Sequence, residues 1–175
     1  LDLVTVPATP ATVTLAVALK GLKGGHSGCD IHLQRANAIK LLGRLLWTAY
    51  LDTPFLLANV EGGSAHNAIP REAFALVAVE RTFKNALLGT LETDLAAVRT
   101  EYGSVDPGIE LHVDETDTPT ALWDRSTSET VLSLLNALPH GVAAMSYDIP
   151  DLVETSINLA TVKPDGNHLT VSLSS

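Results

Sequence analysis

The chain has 175 residues, 46% of them hydrophobic, enough for one domain with a real core and too apolar for a disordered segment. Eleven basic residues against twenty acidic ones give a formal net charge of -9, and no Lys/Arg cluster offsets it, so a phosphate backbone is repelled and nucleic acid is excluded as a partner. Cys29 is the only cysteine, which rules out an internal disulfide and a multi-thiolate zinc site; with no Asn-x-Ser/Thr acceptor, a reducing, cytoplasmic setting is expected.

Val13, Leu15, Val17 and Leu19 alternate with Thr and Ala, the period-two signature of a strand with one buried face. A glycine cluster follows. From about Ile31 to Leu51 the leucines recur at three- and four-residue spacing, and Pro54 closes the segment, which predicts an amphipathic helix. Asn37, Lys40 and Arg44 interrupt its apolar run, far short of the ~20 apolar residues that cross a bilayer, so no membrane segment is expected. Phe55 to Val60 and Phe74 to Glu80 read as strands joined by the Gly/Asn/Pro-rich stretch Gly62 to Pro70. A helix is predicted near Asn85 to Tyr102, a strand through Ile109, Leu111 and Val113, and a helix over Ala121 to Leu138, stopped by Pro139 and Gly141. Two final strands, about Leu152 to Val162 and Leu169 to Ser174, flank the turn Pro164-Asp165-Gly166.

The order is β-α-β-β-α-β followed by α-β-β. The fold class expected is therefore α+β: an antiparallel sheet with helices on one face, with a ferredoxin-like split βαβ core extended by the last three elements. No low-complexity linker or exact repeat divides residues 1–175, which are read as a single domain. The chain starts at Leu1 rather than Met and stops at Ser175 directly after an alternating run, so it is expected to be a piece excised from a longer protein. An inserted piece should return to one hinge, with Ala11 and Ser174 on neighbouring strands.

Two strings stand out. Lys20 to His32, "KGLKGGHSGCDIH", puts four glycines around His26. Glycine lets backbone approach something closely but costs order, so a functional approach at His26 is implied. A phosphate loop is not spelled, because Gly-x-x-x-x-Gly-Lys-Ser/Thr fails at His26 and Gly-x-Gly-x-x-Gly is not met. An imidazole on such a loop can donate to a developing oxyanion. His32 and His66 are near in sequence but not at ligand spacing, and no carboxylate pair accompanies them, so no metal site is expected within this chain. The second string, Gly62 to Ala75, "GGSAHNAIPREAFA", could be a plain turn, with Asn67 bonding its own backbone and Pro70 fixing φ.

Taken together, "LKGLKGGHSGCDIH", "NAIPREAFA" and "LVETSINLATV" (Leu152 to Val162) resemble, in order and spacing, the aminoacylhistidine dipeptidases. These, also called Xaa-His dipeptidases or peptidase D, belong to the di-zinc metallopeptidase family that includes carnosinases and carboxypeptidase G. The resemblance covers nearly the whole chain and concerns the lid, or dimerisation, domain alone. The family's metal-binding strings are absent from these residues, so the resemblance implies that two zinc ions and a general-base glutamate belong to a catalytic domain outside them. The full-length parent would be a metallodipeptidase and the fragment alone inactive. The implied partners are its own catalytic domain, a second copy in a homodimer, and a dipeptide substrate.

By the same resemblance His26 is the lid histidine that stabilises the tetrahedral oxyanion opposite the metals, and Asn67 the lid asparagine that holds substrate. The arginine that the family places near the end of the last strand, to grip the dipeptide carboxylate, corresponds to Ser174 here. That departure keeps open an alternative: a non-catalytic dimerisation or binding module that retains the lid fold.

Overall fold

The computed structural model describes residues 1–175. In chain order its elements are β1 (Thr5–Pro7), β2 (Thr12–Lys20), β3 (Gly25–His26), a 3-10 turn (Ile31–Leu33), α1 (Ala38–Asp52), β4 (Leu56–Gly62), β5 (Ala68–Ile69) and β6 (Ala73–Glu80). A second 3-10 turn (Arg81–Phe83) leads into α2 (Lys84–Tyr102), then β7 (Glu110–Thr116), β8 (Ala121–Trp123), α3 (Arg125–Ala137), β9 (Gly141–Met145), β10 (Val153–Asp165) and β11 (His168–Ser174).

The main sheet runs β11-β10-β4-β6-β2-β7, and every pairing in it is antiparallel. Its β4-β6-β2-β7 portion, with α1 and α2 as crossovers, is the expected split βαβ core. Val13, Leu15, Val17 and Leu19 of β2 share one face with Ala73, Ala75, Val77 and Val79 of β6, because residues paired in register point the same way. All eight are buried in one core cluster with Leu41, Leu42, Leu45 and Leu46 of α1, the Leu87-Leu91-Leu95-Val98 stripe of α2 and Val131, Leu132 and Leu135 of α3. Full burial of each large side chain is worth about 1.5–3 kcal/mol of transfer free energy. The opposite sheet face carries Lys20, Phe74 and Glu61, half-buried or exposed.

Several boundaries differ from the sequence reading, and local hydrogen bonds explain them. The helix expected from Ile31 starts only at Ala38: Gln34 is left-handed, with φ 53°, and the buried Asn37 caps the helix by accepting the Lys40 N–H at 3.1 Å. Likewise, Ala121 to Trp123 is not helix but strand, paired with Thr5–Pro7, and α3 begins after Asp124, whose carboxylate accepts the Thr127 N–H at 2.7 Å. Apolar spacing continues through both segments, but a capping side chain decides where the helix can nucleate.

β10 extends beyond the expected Val162 to Asp165 and changes partners along its length, pairing with β9 over Val153–Ile157 and with β11 over Asn158–Asp165. Ala11 and Ser174 do not lie on neighbouring strands. β10, β4 and β6 separate the strand that follows Ala11 from the one that carries Ser174. Leu1 to Leu3 instead run along the start of β11, with the Leu3 and Leu169 N–H groups bonded across the gap.

Where β4 meets β10, the chain turns through Gly63 at φ +74°, and a Cβ there would lie 1.9 Å from the Ala160 carbonyl oxygen. Gly63→Ala is therefore expected to cost at least ~2 kcal/mol from strain and clash together, lowering the thermal midpoint by roughly 4–8 °C. Thermal denaturation checks this, and an unchanged midpoint would contradict the close approach.

Candidate functional site

The loop between β2 and α1 is closed at its base by one carboxylate. Asp106, 1% exposed, accepts the Lys23 N–H through Oδ1 and the Ala36 N–H through Oδ2, each at 2.7 Å. Lys23 stands just before Gly24 and Gly25, and Ala36 just before the cap of α1, so a side chain from beyond α2 pins the stretch of chain between them. Charge-assisted bonds of this kind are the stronger class.

Inside the loop a second carboxylate shapes the turn. Asp30 Oδ2 accepts the His26 N–H at 2.9 Å and lies 3.5 Å from the Arg35 guanidinium, which donates to the Gly24 carbonyl at 2.6 Å. Gly25, at φ +155°, passes so close that a Cβ would lie 2.6 Å from Asp30 Oδ2 and 2.7 Å from Arg35. That contact accounts for one glycine of the cluster. At the tip, the Gly28 N–H donates to His26 Nδ1 at 3.0 Å. A ring nitrogen that accepts cannot carry the proton of a neutral imidazole, so Nε2 carries it. The side chain itself stays exposed.

The second string folds onto the first. Gly25 pairs with Ile69 and His26 with Ala68 in the β3-β5 ribbon, and the Ser27 N–H donates to the Asn67 carbonyl at 2.8 Å. The Asn67 amide consequently stands 3.4 Å from His26 Nε2. The atom placed there is the amide nitrogen Nδ2, so with the proton on Nε2 two donors face each other; turning the Asn67 amide end for end brings its oxygen to Nε2–H, and at that length the contact is loose enough to yield to a better acceptor. Behind the ribbon the buried Asn158 of β10 donates from Nδ2 to the His66 and Ala68 carbonyls, at 3.3 and 2.9 Å, bracketing Asn67. Ser174 Oγ donates to the same His66 carbonyl at 2.7 Å.

His26, Asn67 and Ser174 thus converge from three separate segments, His26 and Asn67 in direct contact and Ser174 one residue away. The arrangement offers a fixed N–H donor and an amide at an exposed edge, and no acid or base pair beside them. No group of three or more His, Cys, Asp or Glu side chains is placed to hold a metal ion. A cavity of about 620 Å³ borders the ribbon through Gly25, Ala68 and Ile69 and carries charges of both signs, but it includes none of the three residues.

Asp106, Asp30, Arg35 and Asn158 escape sequence reasoning. Asp30 and Asn158 lie inside two of the distinctive strings, but neither their partners nor those of Asp106 and Arg35 can be read from spacing, because each acts across a long sequence separation or through a backbone bond. His140 is also unanticipated. It lies in a smaller cavity, with Nδ1 3.2 Å from the Asn37 amide nitrogen, and burial together with the nearby Lys40 charge pulls its pKa down to about 4.

Residues 17–103 match the peptidase dimerisation domain family. Over 158 residues the chain is 36% identical to the cytosol non-specific dipeptidase of Escherichia coli (strain K12), a match that spans 90% of this chain and 33% of that protein. The crystal structure of aminoacylhistidine dipeptidase from Vibrio alginolyticus superposes with a TM-score of 0.94 at 36% identity, covering 99% of this chain and 35% of that one. The chain thus spans about a third of the length of each of these proteins.

His140 sets a stability window. Above its ordinary value of 6.5 both folded and unfolded forms are neutral; between 6.5 and about 4 only the unfolded chain takes up the proton. Stability should therefore fall as pH drops through that interval, by up to about 3 kcal/mol, and His140→Gln should flatten the loss. An NMR titration of His140 with its midpoint near 6.5 would contradict this.

Proposed function

The chain belongs to the family of peptidase dimerisation domains, and from that premise we propose that it is the lid and dimerisation domain of a zinc-dependent dipeptidase acting on Xaa-His dipeptides. The observation that carries this reading is the His26 tautomer. Because the Gly28 N–H occupies Nδ1, the neutral ring presents a donor at Nε2, on an exposed tip already bent into position.

When water adds to a peptide carbonyl, its oxygen gains negative charge, and a donor fixed beforehand stabilises that charge without reorganising at the moment of reaction. His26 supplies this donor. As the oxygen becomes the better acceptor, Nε2–H leaves its loose contact with Asn67, whose amide is then free to hold the substrate backbone. This reading gives the set neither water activation nor general-base work. In this proposal both tasks, with the two zinc ions, fall to a catalytic domain outside these residues, and the 175-residue chain alone is inactive. The family description supports assembly as a homodimer, and the similarity to a dipeptidase described as cytosolic supports a cytoplasmic location.

A second reading, a non-catalytic dimerisation or binding module, is favoured by Ser174. Its hydroxyl is spent on the His66 carbonyl, and a serine cannot make the bidentate grip of an arginine on a carboxylate. Metal-ligand strings in the coding sequence on both sides would decide for the enzyme, and their absence for the module.

In the full-length protein His26→Ala should lower kcat on an Xaa-His dipeptide by roughly 10²–10³, the scale for one oxyanion donor, while the thermal midpoint stays put because the side chain is exposed. An unchanged kcat would overturn the donor role. Ser174→Arg should act on KM instead, since the substrate carboxylate is present in ground and transition states alike. Steady-state kinetics that leave KM unmoved would mean that the carboxylate is held elsewhere.

A further inference from the structure

Beside the N-terminal end of α1 lies a cavity of about 360 Å³ whose lining includes none of His26, Asn67 and Ser174. Eleven residues line it. Three are cations, Arg35, Lys40 and Arg44, and none is an acid. In a chain with twenty acidic and eleven basic residues, three of the eleven face this one cavity, two of them paired with an acid outside its lining, Arg35 with Asp30 and Arg44 with Glu101.

The donors are not equally committed. Lys40 Nζ bonds the Leu135, Asn136 and Leu138 carbonyls, so it caps the C-terminal end of α3 and offsets the negative end of that helix. The two guanidinium groups are each held through one nitrogen. Arg44 uses its Nη2 for Glu101, at 2.8 Å, and Arg35 uses its Nη1 for the Gly24 carbonyl and Asp30. Their remaining N–H groups have no protein acceptor, and a guanidinium offers five donors in a fork that suits two oxygens at once. His140 Nδ1 faces the Asn37 amide nitrogen, a donor, so the neutral ring keeps its proton on Nε2 as a further N–H. Gln34 adds an amide from a left-handed backbone, φ 53°, a conformation that a non-glycine residue adopts at a cost.

We propose that this cavity is a binding site for a small oxyanion, a carboxylate or phosphate group received by Arg35, Arg44 and His140. A bidentate guanidinium contact matches either group, and the scarcity of acid at the walls disfavours a cation or a neutral sugar. The site shares Arg35 with the loop that carries His26 but includes neither His26, Asn67 nor Ser174, so its existence does not depend on the dipeptidase reading.

The test follows the His140 ring protons by NMR while the 175-residue chain is titrated with sodium phosphate and, separately, with sodium acetate. Sodium chloride at matched ionic strength is the control. A saturable His140 shift with half-effect at or below about 1 mM is expected for at least one of the two anions. Tighter phosphate binding identifies a phosphate site, and tighter acetate binding a carboxylate site. Arg44→Gln should weaken the response at least tenfold, as loss of a charge-assisted donor does, while Glu101→Gln, which frees Arg44 from its exposed partner, should tighten it. A linear, unsaturated shift, an equal response to chloride, or Glu101→Gln binding no more tightly than the parent chain would overturn the proposal.

Discussion

One buried carboxylate holds the arrangement together. Asp106 binds backbone N–H groups on both sides of the glycine-rich loop, and a carboxylate taken out of water is tolerated only where such donors replace its hydration. Because the donors are main-chain atoms of Lys23 and Ala36, what they fix is the path of the chain between them. The loop is thereby tied to the turn after α2, and α2 to the sheet through its leucine stripe. A loop rich in glycine would otherwise lose its shape to entropy.

From that base the constraints narrow toward one atom. Asp30 and Arg35 bend the interior, Gly25 supplies the space they need, and Gly28 fixes which ring nitrogen of His26 is bare. The ribbon with β5 brings Asn67 alongside, and Asn158 and Ser174 hold the far side of that ribbon to the sheet. The candidate edge is thus assembled from segments that the sequence scatters over some 150 residues, Gly24 to Ser174, and only the antiparallel sheet places them together.

What the sequence discloses follows from how local each signal is. The alternation in β2 comes from repeated burial on one face, so it is legible at the right positions, and the strand over Phe74–Glu80 and the helix near Asn85–Tyr102 fall where expected. The two strings around His26 and Asn67 are legible because glycine, asparagine and proline mark backbone that must take special conformations. The start of α1 at Ala38, the short strand Ala121–Trp123 and the partner change in β10 are not, since each depends on a cap or on a strand far away in sequence. Asp106 is invisible for the same reason: nothing near "SVDPG" says that its carboxylate will close a loop 70 residues earlier. The return of the chain is equally non-local: Leu1 to Leu3, rather than the strand after Ala11, run beside β11.

The central claim is that this scaffold fixes the tautomer of the neutral His26 ring, with the proton on Nε2. It can be measured directly by nitrogen-15 NMR of the histidine rings at mildly alkaline pH, with His26 assigned by His26→Ala. The account predicts an Nε2 resonance of the protonated type with a resolved one-bond N–H coupling, and an Nδ1 resonance of the bare type, shifted by its hydrogen bond from the Gly28 N–H. A proton on Nδ1, or an average of the two tautomers as in a free histidine, would contradict it.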